Sequence, residues 1–322
     1  MMPALGITIV PEQAGATLAA VLRQHLPGHS WEQVRRLVAA RRVKVGDDLC
    51  LDPARRLKEG EQVSLLAASA PKQKSQVAVK ILHLDEHLVV VEKPSGISTV
   101  RHPAERKWNE HRKSLSPTLE DIVPRLIQKK PTHGVLPRLR IVQRLDKETS
   151  GLVVFARSIE GERSLGAQFR KHTVTRRYLA IVPGTVAAQR IVSNLVRDRG
   201  DGRRGSTRLN GTGKEAITHV AVEDKLPGYT LLSCRLETGR THQIRIHLAE
   251  LGHPVCGDKV YFRRPDGNMI PDRSAAPRLA LHAVELGLTH PVTGLPLHWT
   301  MPLPADLQEF LKRLRAKAEP RA

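Results

Sequence analysis

Asp146 has the setting that chemistry requires. It lies in Gln143-Arg-Leu-Asp-Lys-Glu-Thr-Ser-Gly-Leu-Val-Val-Phe155, where an arginine and a carboxylate precede a Thr-Ser-Gly turn and an apolar strand. A loop that runs into a buried strand holds its side chains rigidly at the surface, as a catalytic group needs. A carboxylate held in this way can act as a nucleophile or as a base. An aspartate before Lys147-Glu-Thr-Ser-Gly151 can equally form a turn or cap a helix, and the segment alone leaves both roles open. Arg245 is a second candidate. Ile244, Ile246 and Leu248 flank it on an expected helix, so burial is expected, and a buried guanidinium requires a partner. Metal chemistry is not expected: His242, His247, His253 and His282 lack metal spacing, and Cys50, Cys234 and Cys256 are isolated.

The elements that must position these groups can be read from periodicity. Helices are expected at 117–129, 160–171, 242–251 and 305–316, and strands at 79–83, 88–92, 151–156, 178–182, 217–223, 229–236 and 281–288. Strands outnumber helices and short turns join many of them, so the expected fold class is α+β on a mixed, largely antiparallel sheet. Ahead of this unit, 14–26 and 31–41 read as helices separated by Pro27-Gly-His-Ser30, with Ser30 as the N-cap of the second. Short alternating pieces, Val43-Lys-Val45 and Val63-Ser-Leu65, follow. Residues 68–78 lose apolar periodicity and read as a linker. The expected division is therefore 1–67, linker 68–78, and a larger domain 79–322.

The 322 residues hold 52 Lys+Arg against 32 Asp+Glu, a net charge of +20. A surface this basic favours polyanionic partners, because neutralised phosphates release counterions. Basic residues crowd into 101–140 and again into Arg197–Lys214, both expected to be loops, with 199–213 a flexible one. Aromatic residues are only 3%, which argues against recognition by a broad stacking platform. No apolar run reaches membrane-span length and no signal pattern opens the chain, so a soluble cytoplasmic monomer without membrane partners is expected.

Four blocks in order carry a resemblance. They are Leu84–Ile97 with its Lys93-Pro-Ser-Gly96 turn, the Gln143–Phe155 segment, Thr238-Gly-Arg-Thr-His-Gln-Ile-Arg-Ile-His-Leu248 continued by Leu251–Tyr261, and Arg278–Ala283 with His290-Pro291. Together they resemble the RluA family of pseudouridine synthases, and the two helices and hairpin-like tail of 1–67 resemble an S4 RNA-binding domain. The resemblance implies an enzyme that isomerises uridine to pseudouridine in RNA without cofactor or metal. It implies Asp146 as the essential nucleophile or base, Arg245 as the group beside it, and Tyr178 as the active-site tyrosine. It also implies that Arg144 enters the RNA in place of a flipped uridine, and that Arg240 binds phosphate or supports its loop. Arg35, Arg36 and Arg41 would serve the S4-like domain. Ribosomal RNA is the expected partner, with tRNA second. One position departs: Gln143 stands where the family commonly has histidine. A catalytically silent RNA-binding or ribosome-assembly factor of the same fold is the alternative, and the intact set Asp146, Tyr178 and Arg245 speaks against it.

Overall fold

The structure is a computed structural model that describes residues 5–46, 48–70, 79–128, 138–199, 204–207, 209, 211–262 and 270–316. It divides into two compact units, Met1–Val77 with Pro103–Ser116, and Ala78–His102 with Pro117–Ala322.

The first unit contains β1 (Leu5–Thr8), α1 (Leu18–His25), α2 (Trp31–Ala39), β2 (Val43–Val45), β3 (Asp48–Leu49), β4 (Gln62–Leu65) and α3 (Glu110–Ser114). Its four strands run in the order β1-β4-β2-β3. Ser30 caps α2 as expected: its Oγ accepts from Gln33 N at 3.2 Å, and Gln33 Oε1 accepts from Ser30 N at 2.7 Å. Leu18, Val21 and Leu22 of α1, Val34 and Val38 of α2, and Val43, Val63 and Leu65 of the sheet form its core. Part of the expected basic loop belongs here. Arg112 donates to Asp52 at 2.7 Å and stacks over Trp108, so 103–116 group with the first unit and not with the expected domain 79–322. The linker expected at 68–78 lies outside the described residues from 71 onward.

The second unit holds β5 (Lys80–Leu84), β6 (Leu88–Lys93), α4 (Leu119–Ile127), β7 (Arg140–Ile141), β8 (Ser150–Ala156), α5 (Ile159–Arg170), β9 (Thr175–Pro183) and β10 (Gln189–Val196). It continues with β11 (Gly205–Thr207), β12 (Lys214–Leu226), β13 (Tyr229–Leu236), α6 (Gln243–Glu250), β14 (Leu281–Thr289), β15 (Pro296–Thr300) and α7 (Ala305–Ala316). The sheet runs β11-β10-β12-β13-β9-β14-β8-β6-β5, with β15 on β14 and β7 on β8. Every pairing is antiparallel except β14 with β8. The α+β, largely antiparallel expectation is borne out. Alternation places Val89, Val91, Val153 and Phe155 in one core with Leu119 and Val123 of α4, Ile244 and Leu248 of α6, and Leu307 and Phe310 of α7. Leu88, Val90, Leu152 and Val154 pack in another with Leu165 of α5. Covered on both faces, β8 is buried along its whole length and reads as a continuous apolar run.

Two expectations change. Residues 199–213 are not simply a loop, because Gly205–Thr207 pairs with β10 in the register Asn194↔Thr207. The basic stretch 101–140 is also less free than its composition suggests. Arg101 is buried against Asp121 at 2.6 Å, Arg140 meets Glu162 at 2.6 Å, and Lys113 meets Glu110 at 2.8 Å. Arg101, drawn into the fold, takes a carboxylate with it.

Candidate active site

The loop that carries Asp146 is held by its own backbone. Thr99 Oγ1 donates to Leu145 O at 2.8 Å, and Thr149 N donates to Asp146 O at 3.2 Å. Gly96 N reaches Lys147 O at 2.9 Å, and Ser95 Oγ reaches Glu148 O at 2.7 Å. Lys93, with no exposed surface, donates from Nζ to Pro94 O at 3.0 Å, Lys147 O at 2.9 Å and Thr149 O at 2.6 Å. Every carbonyl from Leu145 to Thr149 thus has a donor, which is what a loop pressed onto a core demands. Burial brings the Lys93 ammonium down to about 7, while the charges of Glu148 and Asp146 oppose that fall. At the loop's end Gly151 sits at φ 122°, where a Cβ would come within 2.3 Å of Ala283 O. Only glycine allows β8 to press this closely on β14.

Arg245 projects from α6 and is 5% exposed. Its Nε and Nη2 form a fork with the two oxygens of Asp258 at 2.7 and 3.0 Å, and its Nη1 lies 3.3 Å from Asp146 Oδ2. Asp258 also accepts the backbone N–H groups of Val260 and Tyr261 at 2.8 and 3.0 Å. Burial alone would lower the Arg245 pKa. The hydrogen bonds and charge of Asp258, with Asp146 behind them, raise it above the usual arginine value. Asp146 is the accessible member of this trio: its side chain is 22% exposed against 0% for Asp258.

His242 completes that side of the carboxylate. It opens α6 in a left-handed conformation at φ 60°, which swings its ring toward the loop, with Nε2 3.9 Å from Asp146 Oδ1. Its Nδ1 is 2.8 Å from the Tyr261 hydroxyl, and the two rings meet edge to face. Burial lowers the imidazole's pKa, so it is neutral at pH 7. Tyr178 lies across the site on β9 and is buried. Burial raises its pKa, Asp146's charge acts in the same direction, and a side-chain hydrogen bond with Gln143 opposes them. Gln143 Oε1 in turn accepts from Val154 N at 3.3 Å, so the departure from histidine ties the loop to β8.

The structure therefore brings Asp146, Tyr178 and Arg245 together. Arg144 is exposed on the same loop. Arg240 is exposed two residues before His242, with Nε on Glu215 O at 2.9 Å. Arg35, Arg36 and Arg41 belong to the other unit: Arg36 pairs with Glu32 at 2.6 Å, and Arg41 donates to Ala70 O at 3.3 Å. Sequence reading missed Asp258, His242 as a neighbour of the carboxylate, and Tyr261. The requirement that a buried arginine be paired announced a partner without naming it. Chemically, the site is a fixed, accessible carboxylate between a buried guanidinium and a neutral phenol. It can attack an electrophilic carbon or remove a proton.

Residues 87–250 match the model of the RNA pseudouridylate synthase family. The ribosomal large subunit pseudouridine synthase D of Nitrosomonas europaea is 37% identical over 314 residues, 96% of this chain and 87% of that protein. The protein of the same description from Zymomonas mobilis is 33% identical over 319 residues, covering 97% and 98%. Among solved structures, human RNA Pseudouridylate Synthase Domain Containing 4 superposes with a TM-score of 0.58 at 25% identity, over 73% of this chain and 92% of that one. With its order of motifs, its sheet and a match over half its length, the chain belongs to the RNA pseudouridylate synthase family.

Proposed function

We propose that this enzyme converts uridine to pseudouridine in large-subunit ribosomal RNA, with Asp146 as the essential carboxylate. The observation that carries the reading is the Asp146–Arg245–Asp258 arrangement beside Tyr178. Arg245, locked to Asp258, presents one N–H to Asp146 and orients its carboxylate. Asp146 then attacks C1′, or takes the C2′ proton to give a glycal. The N1–C1′ bond breaks, the uracil turns, and a C5–C1′ bond forms. The proton on C5 leaves, assisted by Tyr178, and N1 gains one. Atoms balance without an added reactant. Arg144, exposed on the same loop, takes the place of the extruded uridine in the RNA. The first unit acts as an S4-like RNA-binding domain through Arg35, Arg36 and Arg41, and Arg240 meets phosphate. The relatives named for the large ribosomal subunit support ribosomal RNA over tRNA.

The test is to incubate the enzyme with unmodified large-subunit ribosomal RNA and with tRNA transcripts, then locate carbodiimide-blocked positions by primer extension. New stops confined to the ribosomal transcript are expected. Stops only in tRNA would reverse the substrate assignment.

A further inference from the structure

Beside Asp146 the second unit carries a basic cleft of which the motifs supply only the Gly239–Thr241 wall. The ends of β10, β11 and β12 and the turn Gly239–Thr241 enclose about 550 Å³. Arg197, Arg204, Lys214 and Arg240 line it, and no acidic side chain does among the described residues. Several cations elsewhere in the second unit are paired: Arg101 with Asp121, Arg140 with Glu162, Arg278 with Asp306, Arg315 with Asp224. Among the described residues, Arg197, Arg204 and Lys214 have no carboxylate partner. Leaving these charges uncompensated in one concave place raises the local affinity for an anion.

A second observation points to the same anion. Arg176, on β9 two residues before Tyr178, is 8% exposed. Its Nη2 donates to Leu236 O at 3.3 Å and Glu237 O at 3.0 Å, while its Nε is buried without a partner. It stands directly behind the cleft wall: a Cβ on Gly239 would lie 2.8 Å from Arg176 Nη1. Glycine at 239 thus keeps a buried, carboxylate-free guanidinium close to the cleft, where it adds to the positive potential.

The cleft is continuous with the catalytic loop. Thr241 lines it and precedes His242, whose Nε2 is 3.9 Å from Asp146. Arg204 lies near enough that its charge acts on both His242 and Tyr261. Among the described residues no aromatic side chain lines the cleft, which suits phosphates and not stacked bases.

We propose that this cleft holds the sugar-phosphate backbone of the substrate strand next to the uridine presented to Asp146, with Arg197, Arg204, Lys214 and Arg240 as phosphate ligands. The proposal rests on the reading of the site as acting on RNA and adds where the strand leaves it.

The experiment compares wild type with the Arg197→Ala/Lys214→Ala double variant. Binding of a fluorescein-labelled stem-loop RNA from the large subunit is titrated across salt, and wild-type tritium release from C5-labelled RNA is read alongside. The double variant should bind about tenfold more weakly at low salt. Its plot of log affinity against log salt should be shallower by roughly 0.7 for each lost phosphate contact. Arg197→Lys/Lys214→Arg, which keeps both charges, should restore most of the slope. Lys214→Gln alone, at the exposed start of β12, gives the same reading at about half the change in slope should the pair disturb the strands. Unchanged affinity and slope in the double variant would overturn the proposal. Tritium release by wild type with an unchanged variant slope rejects the cleft alone. No release by wild type rejects the functional reading, whatever the slope.

Discussion

Arg245 is shared unequally between two carboxylates, and that inequality separates structure from chemistry at the residue scale. Asp258 is fully buried and takes the fork, while Asp146 is partly exposed and takes a single N–H. Arg245→Met should therefore cost about 3–5 kcal/mol in urea unfolding, because Asp258 is left as an uncompensated buried charge. Asp146→Asn should move stability by no more than about 1 kcal/mol. Equal losses in the two variants would contradict this division. Asp146 and Arg245 were legible because their segments carry the resemblance to the family, and Tyr178 because that resemblance implies an active-site tyrosine on its strand. Asp258, His242 and Tyr261 were not, because their parts depend on proximity that only folding creates. Arg245 reaches Asp146 across 99 positions of sequence.

At the scale of elements, the Lys93–Thr99 turn is what makes Asp146's loop rigid. Lys93→Met removes the Nζ donor from three carbonyls, two of them on that loop. It should lower stability by roughly 2–4 kcal/mol and slow single-turnover isomerisation more than it weakens RNA binding. A variant as fast as wild type would show that loop rigidity is irrelevant. α6 is fastened to the sheet by His247, whose Nε2 meets Ser193 on β10 at 2.9 Å and whose Nδ1 meets Thr218 on β12 at 2.9 Å. Burial brings His247 down to about 4, and burial also brings His282 down to about 4. Both folded values lie below the unfolded value near 6.5, so between pH 6.5 and 4 the unfolded chain binds more protons. Stability should fall as pH drops through that window and level off below it. His247→Gln should reduce the fall, as read from urea midpoints at each pH. The long central strands and the helices were readable because strong apolar periodicity marks them. The strands β10 and β15 escaped notice: in β10, polar residues such as Arg190, Ser193 and Asn194 interrupt the apolar signal.

For the whole molecule, the net charge of +20 is the plainest statement the sequence makes, and its distribution is what folding decides. Part of the basic 101–128 stretch is spent on internal ion pairs, while Arg197, Arg204 and Lys214 contribute open cations beside the site. Composition could not separate these two fates, because it does not show which arginines have a carboxylate within reach. Removal of residues 1–67 should weaken binding of large-subunit RNA more than it slows isomerisation at saturating RNA. Unchanged affinity and salt dependence would refute the S4-like role of the first unit. The central claim, that Asp146 drives uridine isomerisation, is tested most directly by tritium release from RNA labelled at uridine C5. Wild type should release tritium, and Asp146→Asn, folded and still binding RNA, should release none above background. Equal release from the two proteins would place the essential carboxylate elsewhere. No release from either, with RNA still tightly bound, would identify a silent RNA-binding member of the family.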